Sequence, residues 1–166
     1  MTRDELYFSV VGVEPAPQGS KRHVGNGVMV ESSKKVKPFR EAVADAVFRA
    51  FVATGDDRTF TEPVVLWATF FMPKPRTVKR LLPSVPPDLD KMCRALFDGL
   101  EQNARVIESD SMIVRVHASK VYAAVPGDVG VRVAIKTVAL AEATGDLFVT
   151  GSEKSLQDLH LLLNSD

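Results

Sequence analysis

Residues 63–72 read PVVLWATFFM, and residues 73–87 read PKPRTVKRLLPSVPP. The first stretch is a nearly continuous apolar run, rich in β-branched and aromatic side chains. It is too short for a comfortable helix and predicts a buried strand. The second holds five prolines and four bases. Proline fixes φ and lacks an N–H, so this stretch can continue neither sheet nor helix. It predicts a long loop, and long loops in compact domains are usually functional or mobile.

The rest of the chain must be arranged around that pair. Residues 6–13 (LYFSVVGV) read as a strand, followed by EPAPQGSKRH, a Pro/Gly loop with bases at its end. GVMVES reads as a short strand after the turn pair Asn26 and Gly27. Pro38 opens a helix in which Phe39, Val43, Val47 and Phe51 recur every four residues, beside Ala42, Ala46 and Ala50. Ser33 lies in its cap region and Gly55 at its stop. A second helix over residues 89–102 keeps Leu89, Met92, Cys93, Leu96, Phe97 and Leu100 on one face.

Over residues 111–125, Met112, Val114, Val116 and Ala118 alternate with Ile113, Arg115, His117 and Ser119, as in a strand with one wetter face. Gly127 and Asp128 turn the chain. Val129, Val131, Val133 and Ile135 then alternate with smaller or polar residues, which predicts the second strand of a hairpin. The order strand, strand, helix, strand, helix, strand, strand predicts an α/β fold of the α+β kind. It would be a single-domain, two-layer sandwich with a mixed sheet of about five strands and two main helices. Residues 1–140 form that domain. Residues 141–166 form an acidic tail in which the run from Ser152 could start a short helix carrying Leu156, Leu159, Leu162 and Leu163.

Composition narrows the class. With 166 residues, 45% apolar and 25% charged, the chain suits one soluble globular domain. No run reaches the roughly 18 apolar residues of a membrane span. The start, MTRDELYF, is unlike a signal peptide. The single cysteine, Cys93, cannot make an internal disulfide, so a reducing cytoplasm is expected. His23, His117 and His160 lie far apart without cysteines, so no zinc spacing exists. Nothing calls for an organic cofactor. Net charge is zero, but bases gather locally. Lys21, Arg22, Lys34, Lys35, Lys37 and Arg40 fall in one segment, and Lys74, Arg76, Lys79 and Arg80 in the loop.

The chemistry concentrates after the loop, in PPDLDKMCRALFD. Asp88 and Asp90 flank Leu89, so in an extended segment both carboxylates can point to one side. Asp110 stands just before the next predicted strand. Three acids converging there would make a hard-oxygen site suited to Mg²⁺ or Mn²⁺. The same acids also fit a purely structural role: Asp88 as an N-cap, Asp90 as a complement to the helix dipole, Asp110 as a turn cap. Asp98 reads as a solvated helix residue. Arg94 lies four residues after Asp90 on the same helical face, where it can pair with a carboxylate or contact a phosphate. Acids for a metal beside bases for a polyanion are what phosphodiester hydrolysis requires, because a metal offsets phosphate repulsion and activates water.

Two segments together, P-D-L-D-K-M-C-R-A-L-F-D-G-L and V-I-E-S-D-S-M-I-V, resemble the RusA family of Holliday junction resolvases. The first strand with its P-A-P-Q-G-S-K-R loop and the helix around Phe39 and Arg40 are similar too, so the resemblance spans about residues 6–135. It implies a RusA-like fold in which Asp88, Asp90 and Asp110 bind a divalent metal and Arg94 takes the place of a functional lysine. It also implies a homodimer making paired nicks in four-way DNA junctions with Mg²⁺ or Mn²⁺, in DNA recombination and repair or in phage DNA processing. The family is common in phages and prophages. Three positions depart from its pattern: Lys91 stands for an asparagine, Arg94 for a lysine, and Ser109 for the first acid of a pair.

The expected catalytic set is therefore Asp88, Asp90, Asp110 and Arg94. The expected DNA contacts are Lys21, Arg22, Lys34, Lys35, Lys37, Lys74, Arg76, Lys79, Arg80 and Lys91. Lys91 and Ser109 motivate a rival reading, a junction-binding protein of the same fold with little or no cleavage. A third reading keeps the acids as caps in a small structural or assembly factor.

Overall fold

A computed structural model describes residues 4–19, 21–23, 29–31 and 34–145, with 21–23 and 29–31 as backbone alone. In chain order come β1 (Glu5–Val11), β2 (Lys21–His23), β3 (Met29–Glu31), α1 (Val36–Thr54), β4 (Val64–Met72), α2 (Leu89–Asp98), β5 (Ile113–Tyr122), β6 (Gly130–Thr137) and α3 (Val138–Ala143). The apolar run becomes β4, in which Val64, Val65, Leu66 and Phe70 are fully buried. Four strands make the main sheet in the order β1-β6-β4-β5. β6 runs antiparallel to both β1 and β4, and β4 runs parallel to β5. The described residues thus form a single α+β domain with a mixed sheet.

Helices α1 and α2 cover one face of that sheet. Phe39, Val43 and Val47 of α1 and Met92 and Leu96 of α2 join Leu6, Phe8, Leu66, Phe70, Val131, Val133 and Ile135 in one core. These are the stripes that the helical periodicity predicts. Two glycines permit close approaches. A Cβ on Gly99 would lie 3.2 Å from the Val43 side chain, so the end of α2 can press against α1. Gly130 has φ +155, and a Cβ there would strike the Val10 carbonyl oxygen, which only glycine avoids at the start of β6.

Several expectations need correction. The main sheet has four strands, because the segment read as GVMVES contributes β3 to a separate ribbon with β2. The end of the first loop, read as irregular, supplies β2 itself. The hairpin does not form. β4 is apolar save for Thr69 and takes hydrogen-bonded neighbours on both edges, so β5 and β6 flank it instead of pairing with each other. Residues 123–129 cross the end of β4, where the Ala123 N–H donates to the Met72 carbonyl at 2.9 Å.

The alternation read for β5 breaks at a bulge. Val64 pairs with Ile113 and Val65 with Arg115, so Val114 is left over and is 60% exposed. An extra residue reverses which side chains face the helices. Helix α1 begins at Val36, with Pro38 inside its first turn where a missing N–H costs nothing. Its N-cap is Lys35; Ser33 lies outside the described residues, as do the Asn26 and Gly27 turn and the tail helix expected from Ser152. Gly55 does close the helix, in the left-handed conformation. The second helix ends as expected near residue 102, but through a π turn (Gly99–Asn103). Residues 73–87 hold no helix or strand. Among the described residues no helix is long and apolar enough to cross a membrane.

Candidate active site

The aspartate pair sits where the proline loop enters α2. Asp88 is the N-cap residue, with extended φ −71 and ψ 140, although its side chain makes no cap hydrogen bond. It turns instead to Lys91, whose Nζ donates to Asp88 Oδ2 at 2.6 Å. That hydrogen bond first, and the Lys91 charge second, hold the Asp88 carboxyl below the usual carboxylate range; Lys120 adds a smaller pull. Asp90 occupies the first turn of α2. Asp88, Asp90, Lys91 and Arg94 are all exposed. Arg94 is near enough to Lys91 to oppose its charge. Cys93, on the inner face of the same helix, is buried, and burial pushes its thiol up to about 11.

Asp98 is not a solvated residue. It forms an ion pair with Arg40 of α1 in which the side chains keep only 16% and 18% exposure. Gln18 Nε2 donates to the same carboxylate at 3.0 Å. A second tie joins the Gln18 N–H to the Lys91 carbonyl at 2.9 Å. This network fixes α2, and with it Asp88 and Asp90, against α1 and the loop after β1. Arg40 therefore points inward, although its segment reads as a basic surface. Sequence reasoning missed the pair because its members are far apart along the chain.

Lys120 is the other residue that sequence reasoning missed. From β5 its Nζ donates to the carbonyls of Val85 (2.8 Å) and Pro87 (2.9 Å). It thereby clamps the end of the proline loop, across the cis Pro86–Pro87 bond, immediately before Asp88. The only signal in the sequence is a lysine among the alternate strand positions that are otherwise apolar.

Asp110 is elsewhere. It opens a 3-10 turn (Asp110–Met112) that leads into β5 and is exposed. Ser109 caps this turn: its hydroxyl accepts from the Ser111 N–H at 3.3 Å. The Phe60–Ile107 bridge ties this segment to the stretch before β4. Lys120, by contrast, meets Pro87 near the other end of β5. Seven strand residues at about 3.3 Å each separate Ile113 from Lys120 by roughly 23 Å. The chain therefore brings Asp88, Asp90 and Arg94 together but not Asp110, and among the described residues no three potential metal ligands gather.

The bases favour the Asp88 end. Lys74, Arg76, Lys79 and Arg80 are exposed on the loop, with Lys74 over the Tyr122 ring at 5.4 Å. Lys34, Lys35 and Lys37 are exposed around the start of α1, Lys35 paired with Glu14 at 2.6 Å and Lys37 with Glu41 at 3.9 Å. Lys21 and Arg22 lie in β2, whose side chains are outside the described set. Exposed carboxylates at a helix start fit a hard, oxygen-preferring cation, which often takes one or two carboxylates and completes its shell with water and phosphate. With this geometry in place, comparison with known families adds one finding: the model described as Endodeoxyribonuclease RusA matches residues 12–136, well over half of the chain. No curated protein matches it.

Proposed function

The chain belongs to the RusA endodeoxyribonuclease family, and on that premise we propose that it is a metal-dependent nuclease that resolves four-way DNA junctions by paired nicks. The observation that carries the reading is the open end of the sheet where Asp88 and Asp90 start α2 beside the bases of the proline loop. Asp88 and Asp90 would hold Mg²⁺ or Mn²⁺. A cation bound there supplies Lewis-acid activation of water and neutralises phosphate charge. Arg94, always protonated, steadies the charge that builds on the phosphate and does not shuttle protons. Lys74, Arg76, Lys79 and Arg80, with Lys34, Lys35 and Lys37, hold the backbone without reading sequence, so affinity falls steeply with salt. Lys21 and Arg22 belong to the same proposed contact set.

The position of Asp110 argues for a pair of chains. If it serves the same site as Asp88 and Asp90, a second copy must bring its Asp110 to them, because one chain holds them at opposite ends of β5. β5 is an edge strand of the sheet. A two-fold axis beside that edge sets the start of one β5 near the end of the other. Such a homodimer has two sites related by symmetry, as paired nicks require. We place its action in DNA recombination, repair or phage DNA processing, in a cytoplasm.

One contact favours the rival reading. Lys91 occupies Asp88, and Ser109 serves as a cap where an acid would stand. A junction-binding protein without cleavage would look the same. Incubation of a labelled four-way junction and a linear duplex of equal sequence separates the two, with Mg²⁺, Mn²⁺ or chelator and with Asp90→Asn in parallel. Symmetric nicks on the junction that need the metal and vanish in the variant are the expected result. Binding without nicking under either ion would leave the binding protein standing.

A further inference from the structure

The proline loop carries an apolar pair that phosphate contacts leave unexplained. Leu81 is 87% exposed and Leu82 60%. They follow directly on Lys79 and Arg80, which are exposed, and precede Pro83, which is buried. Two tight turns shape this part of the loop: the Val78 N–H donates to the Pro75 carbonyl at 3.0 Å, and the Ser84 N–H to the Leu82 carbonyl at 2.9 Å. The following limb is clamped by Lys120 at Val85 and Pro87. The two leucines are therefore held facing outward, a few residues before Asp88, on a segment stiffened by prolines.

We propose that Leu81 and Leu82 form a wedge that inserts at the branch point of a DNA junction and unstacks the base step there. This rests on the reading of the chain as a junction nuclease. Leucine is among the side chains suited to prising base steps apart, because an apolar surface replaces the lost stacking. Lys79 and Arg80 seat the wedge by holding adjacent phosphates, which by themselves carry no information about the DNA's form. A continuous duplex resists unstacking, whereas a branch point has steps already interrupted, so insertion costs less there. The wedge thus supplies structural selectivity that the charges lack, and it delivers the opened strand beside Asp88 and Asp90.

The test uses the full chain in chelator, so that no strand is cut, with 2-aminopurine beside the branch point of a four-way junction or inside a duplex. Wild type should raise the junction's fluorescence severalfold. Leu81→Ser/Leu82→Ser should lose that rise and bind the junction about tenfold more weakly, with duplex affinity and its salt slope unchanged. Leu81→Met/Leu82→Met should restore the rise. A serine variant that unstacks the base as wild type does overturns the wedge. So does equal loss of duplex and junction affinity, or a changed oligomeric state without DNA, which would assign the leucines to a second copy. Wild type that binds junction no better than duplex would sink the junction reading itself, which is a separate outcome.

Discussion

The two ends of β5 are built from different materials. At the end of the strand, Lys120 grips a proline loop, and that loop delivers Asp88 and Asp90 among exposed bases. At the start, Asp110 sits on a 3-10 turn capped by Ser109, tied to the Phe60 segment through Ile107. The first end has the charges to hold a polyanion and two carboxylates for a cation. The second exposes Glu108 and Asp110, at the far end of the strand from both. An edge strand lets the two ends serve one site only when a second β5 runs the other way. In the proposed dimer, the separation within a chain would become a juxtaposition between chains.

The largest expected effect ignores the distance. Asp110→Asn should lower nicking as much as Asp88→Asn or Asp90→Asn, on the order of 10³-fold or more, while junction binding persists. A rate for Asp110→Asn close to wild type would leave the strand's first end without a role. Next comes the anchor of α2. Asp98→Ala leaves the largely buried Arg40 unpaired, and should destabilise the fold by roughly 3 kcal/mol in urea titration. A loss near zero would mean that Asp98 is solvated after all.

Lys120→Met should release the loop without unfolding the core. Mn²⁺ affinity, read by calorimetry, should fall about tenfold, and Lys120→Arg should recover much of it. Equal affinity in all three proteins would cut the link between the edge strand and Asp88. The smallest change is expected of Lys91→Asn, since an exposed ion pair contributes little. The Asp88 carboxyl, held low by Lys91, should titrate nearer its ordinary range in the variant, as followed by carboxyl NMR. The sign follows from the lowered folded-state value. The pairing helps the fold above the unfolded aspartate range and is lost as pH falls through the folded one, and Lys91→Asn should flatten that acid limb. Mn²⁺ should bind a few-fold more tightly once Lys91 no longer competes.

Much of this architecture is legible in the residues. β4 announces itself by a nearly continuous apolar run, α2 by a stripe of Leu89, Met92, Cys93 and Leu96, and the loop by its prolines. What escapes is whatever depends on chain pairing at long range. Local alternation cannot show that β4 separates β5 from β6, nor that a bulge at Val114 reverses the strand's faces. Asp98 reads as solvated because its partner, Arg40, lies on another helix. The acids mislead for the same reason. Asp110 follows Asp90 closely in sequence, but α2 and its π turn carry the chain back along the sheet before β5 begins.

Subunit mixing tests the central claim most directly. Asp90→Asn and Asp110→Asn proteins, each inactive alone, are unfolded together, refolded and assayed on a labelled junction with Mn²⁺. If the site is shared between chains, a mixed dimer holds one site with both defects and one with none. The mixture should then nick one strand of the junction. If each chain uses its own three acids, every site in the mixture carries a defect. A mixture as inactive as its components, with mixed dimers shown to be present, would contradict the account.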